Sequence, residues 1–185
     1  MKAIKLFMSV TIIAASFIFY AFTAANINSN ETTVPPGGEM NDLWKDYTSW
    51  YKVTGDTPNT GDPTGFLDSK HKGIKAIRVI YINEIGKDVN TGTAPYKYPE
   101  GTVVVKESYK NQKAFDAKKT PELTIMVKLK AGESPETGDW GFVMGGAGEI
   151  SSGTSKMGTF CGGCHVFAAG TDYLFINSDF LKNNK

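Results

Sequence analysis

The chain has 185 residues, of which 41% are hydrophobic and 12% aromatic, enough to bury one ordinary core and too few for two. Twenty Lys and Arg stand against nineteen Asp and Glu, a formal charge of +1. No basic run or stripe is present to track a phosphate backbone, which excludes nucleic acid as a partner.

The first residues read as an address. Residues 1–25 form a signal peptide: Met1-Lys2-Ala3-Ile4-Lys5 is a short basic region, "LFMSVTIIAASFIFYAF" is apolar, and Thr23-Ala24-Ala25 supplies small residues for a peptidase cut. The expected location is periplasmic or secreted. Residues 6–25 carry no charge and are also long enough to span a bilayer, so an uncleaved chain would be anchored through them. No cysteine follows the apolar run, which excludes a lipoprotein anchor. Residues 26–38, "NINSNETTVPPGG", have the composition of a linker. Residues 39–185 are then the single folded domain.

Within that domain, "NDLWKDYTSWYKV" sets Leu43, Trp44, Tyr47, Trp50 and Tyr51 at helical spacing behind Asn41 or Asp42. This predicts one short amphipathic helix with an aromatic core stripe. Residues 54–73 are turn-rich and predict a loop. Four β-branched or aromatic runs follow, over 74–83, 101–109, 123–129 and 139–144, each bounded by Gly, Pro or charged turns. With no long helix between the last three, they predict an α+β fold: an antiparallel sheet of four to five strands with short helices. Residues 145–158, "GGAGEISSGTSKMG", read as a loop that leads to the cysteines. The chain contains no internal repeat.

Both cysteines and one of the two histidines lie together in Cys161-Gly162-Gly163-Cys164-His165. This is the attachment motif for a c-type haem. Two thiols three positions apart on the first turn of a helix can each form a thioether with one of the two haem vinyl groups, and the next residue offers its imidazole to the iron. Cys161 and Cys164 are therefore the candidate cofactor-binding residues and His165 the candidate iron ligand. Such attachment is made outside the cytoplasm, in agreement with the export signal. Two other readings compete. A disulfide or thioredoxin-like pair would also be exported, but the thioredoxin motif follows an early strand and opens a long helix, whereas this pair comes late. A zinc site would need Cys161, Cys164, His165 and His71, yet adjacent Cys164 and His165 cannot easily meet one tetrahedral ion.

The far side of the iron has few candidates. His71, among the lysines of "LDSKHKGI", reads as a solvated surface histidine. Met126 and Met144 lie in strand runs and read as core, and Met157 is too near the attachment motif to reach across the haem. An open sixth position follows, which means small-ligand chemistry.

A strand "YPEGTVVVKES" over 98–108, a Trp-containing "DWGF" over 139–142, the late Cys-x-x-Cys-His and a "TDYLF" tail over 171–175 together resemble the cytochrome P-460 family. The likeness runs from about Trp44 to Phe180. It implies that Lys106 is joined covalently to a meso carbon of the haem, a third tether beside the two thioethers. Relatives with that cross-link oxidise hydroxylamine to nitrous oxide or nitrite, or process nitric oxide, and pass electrons to an external acceptor such as a soluble cytochrome. Members without it, of the cytochrome c′-beta type, are gas-binding proteins with a distal pocket walled by phenylalanines. The presence of Lys106 speaks for the first group. The family often forms homodimers, which exposed strand edges would support.

On the residues alone, Thr102, Val104 and Lys106 share one face of their strand, and Val103, Val105 and Glu107 the other. Both faces are half apolar, so periodicity does not choose between them, and Lys106 by itself reads as a surface lysine. Phe115 and Phe142 read as core, and Phe66, in the 54–73 loop, is placed where a distal cap would sit. Glu149, in the loop before the motif, is the candidate catalytic proton acceptor for hydroxylamine beside Lys106. A non-catalytic gas-binding cytochrome and a six-coordinate electron carrier remain as alternatives.

Overall fold

The computed structural model describes residues 40–56, 58 and 77–177. The signal segment, the linker, most of the 54–73 loop with Phe66, and His71 lie outside the described residues. Among the described residues no helix is long and apolar enough to cross a membrane.

Five strands form an open antiparallel sheet in chain order. They are β1 (Tyr51–Lys52), β2 (Ile77–Ile82), β3 (Val103–Tyr109), β4 (Glu122–Lys128) and β5 (Trp140–Met144). The four runs read from the sequence are all strands; three begin one to three residues later than expected, and β4 begins one residue earlier, at Glu122. The fifth is a two-residue edge strand, Tyr51 opposite Ile82 and Lys52 opposite Tyr81. Strand β2, "IRVIYI", is buried along its whole length, as a β-branched run covered on both faces should be.

Alternation divides the sheet into two cores. Trp44, Tyr47, Val79, Tyr81, Val103, Val105, Leu123, Ile125, Val127 and Val143 fill one side. Ile80, Ile82, Tyr96, Tyr98, Val104, Met126, Trp140, Phe142, Leu174 and Ile176 fill the other. Lys106 stands on the second side, in register with Ile80 of β2 and Thr124 of β4.

The segment predicted as an amphipathic helix is not one. Residues 42–46 are turns and Tyr47–Ser49 is a single 3-10 turn. Backbone bonds of i to i+3 type, Trp44 N–H to Asn41 O at 3.0 Å and Tyr47 N–H to Trp44 O at 3.1 Å, put Trp44 and Tyr47 into the core together. The chain must then straighten at Tyr51 to pair with Ile82, which leaves no room for a second helical turn, and Leu43 and Tyr51 stay exposed.

Two helices are present where only turns were expected. Helix α1 (Glu84–Thr91) is capped by the Asn83 side chain, which accepts from Gly86 N–H. The Asn83 amide in turn donates to Gly101 O at 2.8 Å, tying the crossover to the start of β3. Helix α2 (Gln112–Asp116) is capped by Asn111 in the same way, at 2.9 Å from Ala114 N–H. Each asparagine was a start signal in plain view.

The first core encloses one carboxylate. Glu107 is buried and accepts from Tyr47 Oη at 2.8 Å and from Tyr109 Oη at 2.9 Å. Burial first, and then the bond to Glu107, push both phenols well above their ordinary range. A raised folded-state value means that the folded protein holds these protons more tightly than the unfolded chain. The stability they contribute is complete below a pH of about 10, where free tyrosine titrates, and is lost as the pH rises beyond it. Tyr47→Phe should cost about 1–3 kcal/mol at neutral pH, because it leaves a buried carboxylate short of a donor. It should also flatten the alkaline fall in stability. Urea unfolding at neutral and alkaline pH tests both effects, and an unchanged alkaline slope in Tyr47→Phe and Tyr109→Phe alike would refute this account.

Candidate functional site

The sequence motif ends a helix rather than beginning one. Helix α3 runs Lys156–His165, with Ser155 as its N-cap accepting from Gly158 N–H at 2.9 Å. The 145–158 loop is therefore shorter than expected, since Ser155 starts the helix before the first cysteine. Cys161 and Cys164 occupy the last two turns and His165 is the final residue, which corrects the expected first-turn placement. The two thiols still share one side of the helix. Residues three apart share one side of any helical turn.

What aims that side is the helix's glycine edge. Gly158 lies so close to the Ser152 carbonyl that a Cβ there would collide with it. Gly162 lies against Thr137 of the Pro135–Thr137 turn, where a Cβ would come within 2.7 Å of the methyl group. Gly163 faces open space. With its glycine edge seated on the Ser152 backbone and the Thr137 side chain, α3 turns Cys161 against the core that includes Val104, Met126 and Phe142. The two cysteines are not joined to each other, and both are half-buried. Met157, one turn earlier, has its sulfur 3.7 Å from Cys161 Sγ.

His165 Nδ1 lies 2.8 Å from the Tyr173 carbonyl oxygen. A carbonyl only accepts, so Nδ1 carries the proton and the lone pair is on Nε2. The ring stands between Phe142 and Phe175, at 5.6 Å and 5.4 Å between centroids. Burial, against the Tyr173 hydrogen bond and with help from the Lys106 charge, lowers its pKa to about 4. The imidazole is thus neutral at ordinary pH, the form that ligates a metal.

Lys106 is half-buried and makes no hydrogen bond among the described residues. Burial and the neighbouring Arg78 cation lower its pKa to about 8, while Cys161 and Cys164 act in the opposite direction. The amine is therefore within electrostatic reach of both thiols and of the His165 ring. Strand period left its face undecided; the packing of α3 decides it, and Lys106 is no ordinary surface lysine.

Other expectations fare differently. Glu149 is exposed in the β5–α3 loop, and its neighbour Ile150 packs against the opposite core. It makes no hydrogen bond or ion pair with Lys106, the thiols or His165. Phe115 meets Tyr109 on that opposite side as well. Met126 is core as expected, but Met144 is 46% exposed, because it ends the edge strand β5. Phe175, Tyr173 and Arg78 were missed as neighbours of the site. The "TDYLF" tail held the first two without any periodicity to mark them.

A sequence profile of cytochrome P460 matches residues 44–176. The chain belongs to the cytochrome P460 family. None of the curated proteins matches it. As a cytochrome P460 it is a haem protein, and the donor set fits that group: two free thiols, a neutral imidazole with one lone pair, and an amine without a protein partner, all on one side of the sheet. Among the described residues no three His, Cys, Asp or Glu side chains gather as a metal cluster would require.

The seating of α3 predicts a sharp contrast between neighbouring glycines. Gly158→Ala should cost roughly 3 kcal/mol or more, since backbone must move. Gly163→Ala, in open space on a helix, should be neutral or stabilising by about 0.5–1 kcal/mol. Thermal unfolding of the two variants measures the difference, and equal melting temperatures would contradict the placement of the helix.

Proposed function

We propose that this cytochrome P460 is an exported single-haem protein whose haem is held by thioethers from Cys161 and Cys164, ligated by His165 and tied a third time through Lys106, and that it oxidises hydroxylamine. The observation that carries the proposal is the Lys106 amine, half-buried, without a hydrogen-bond partner and within reach of both thiols. A lysine in that position has no structural purpose of its own. Its depressed pKa leaves a useful fraction of neutral amine, which is the nucleophilic form.

The haem would supply a redox-active iron able to bind a small nitrogenous ligand, hydroxylamine or nitric oxide, and to accept its electrons. The chain's own residues do the rest. His165 Nε2 donates its lone pair while the Tyr173 carbonyl holds the ring's other nitrogen. Phe142 and Phe175 flank the imidazole and keep water from it. Lys106 would hold the haem a third time, so that the group keeps its place while ligands come and go. Electrons leave to an external acceptor such as a soluble cytochrome, and protons leave to solvent. Glu149, exposed on the β5–α3 loop, is the proposed proton acceptor.

The test is the protein matured in a host competent for c-type cytochromes. Wild type should show a ferrous Soret band shifted well to the red of an ordinary cytochrome c, and a digest should yield one haem peptide joining Lys106 to Cys161 and Cys164. Lys106→Ala should revert to the ordinary spectrum and lose roughly 100-fold in hydroxylamine turnover with an added oxidant, the scale expected when reacting groups shift by about 1 Å. An ordinary spectrum with Lys106 free in wild type would point instead to a gas-binding cytochrome. Protein without haem would return the cysteines to a disulfide.

A further inference from the structure

The carbonyl that orients His165 sits in unusual backbone. Asp172 and Tyr173 are consecutive and both left-handed, with φ of 52° and 64°. Neither is glycine, and such residues persist only where their surroundings hold them. Part of the holding is local, with Asp172 N–H on Ala169 O at 3.2 Å and Tyr173 N–H on Ala168 O at 2.7 Å, and the rest comes from distant parts of the chain. Asp172 accepts Lys128 Nζ on both carboxylate oxygens, at 2.7 and 2.8 Å, and the Tyr98 backbone N–H at 2.8 Å. Its carbonyl accepts Trp140 Nε1–H at 2.8 Å.

Lys128 is anchored in its turn. Its ammonium donates to Gly138 O at 2.7 Å and stands 5.0 Å from the centre of the Trp140 ring, a cation–π contact. Lys128 and Trp140 face each other across β4 and β5. The Tyr173 ring covers Gly138, where any Cβ would collide with it. The side chains of Lys128 and Asp172 are only 13% and 14% exposed, so water screens the pair little. A well-made ion pair therefore clamps the one stretch of backbone whose carbonyl touches the haem-motif histidine.

We propose that the Lys128–Asp172 pair is a positioning device for His165: by holding residues 172 and 173 in their left-handed form, it aims the Tyr173 carbonyl at Nδ1 and so sets the ring's orientation and its donor strength. The inference rests on His165 being the axial ligand proposed above. A hydrogen bond from the far nitrogen to a fixed acceptor makes an imidazole a stronger ligand. When the 172–173 backbone relaxes, the carbonyl turns away and Nδ1–H is left to water. The iron–histidine bond then weakens.

A pair that merely tied the tail to the sheet would affect stability alone. The experiment separates the two on holoprotein matured as above, comparing wild type with Asp172→Asn, Lys128→Met and Lys128→Arg. Leu123→Ala, in the opposite core, serves as a destabilised control. Haem content is measured first, then the iron–histidine stretching band of the ferrous protein by resonance Raman, then the reduction potential. Asp172→Asn and Lys128→Met should shift the band to lower frequency, broaden it and raise the potential. Lys128→Arg should restore the wild-type signature, and Leu123→Ala should melt earlier with its band unmoved.

A wild-type band and potential in either haem-loaded Asp172→Asn or Lys128→Met would overturn the inference, and one folded variant of the two is enough to decide. If neither folds, the pair is a folding element and the inference fails as well. Wild type without haem defeats the functional reading itself, and this is recognised at the first measurement.

Discussion

The seating of α3 on its glycine edge is the contact on which the site depends. Gly158 against the Ser152 carbonyl and Gly162 against Thr137 leave the helix one way to lie. That orientation sends Cys161 into the second core and brings both thiols within reach of a lysine that is more than fifty residues away in the chain. A helix with ordinary side chains at those two positions would stand further off and rotate. The thiols would then face solvent, where unpaired cysteines are a liability rather than a ligand set.

Adjacent residues on β3 show how a sheet separates functions by alternation. Glu107 points to one core, where two phenols satisfy it. Lys106 points to the other, where no protein group does. Both are charged residues in a largely buried strand, and each would be costly without compensation. For Glu107 the compensation is internal to the fold. For Lys106 it is a lowered proton affinity and, in the proposed holoprotein, a covalent bond to the haem. The sheet thus keeps a hydrogen-bonded carboxylate and a half-buried amine on adjacent residues but opposite faces.

The backbone after the motif belongs to the same design. His165 closes α3, the chain turns through the 3-10 segment Val166–Thr171, and two left-handed residues return a carbonyl to the histidine they have just left. That return is secured from β4 and β5 through Lys128 and Trp140. The second core and the environment of the histidine are therefore one construction, and the sheet acts on the candidate ligand at two removes.

Much of this was legible beforehand. The four main strands announce themselves because β-branched runs bounded by Gly and Pro have few other conformations, and Cys-Gly-Gly-Cys-His needs only local spacing to be recognised. The aromatic segment near Trp44 misled because spacings of three and four suit a 3-10 turn that feeds an edge strand as well as they suit a helix. Helices α1 and α2 were passed over although Asn83 and Asn111 marked their starts. Local chemistry, namely which residues offer thiols and an imidazole at close spacing and which runs can be strands, was determined by the sequence itself. Only the tertiary structure decided which face of β3 meets the motif helix, that Glu149 is exposed, and that Lys128 and Asp172 pair across 44 residues. A strand of period two with both faces half apolar carries no information about what will pack on either face, and a contact between distant residues leaves no periodicity to read.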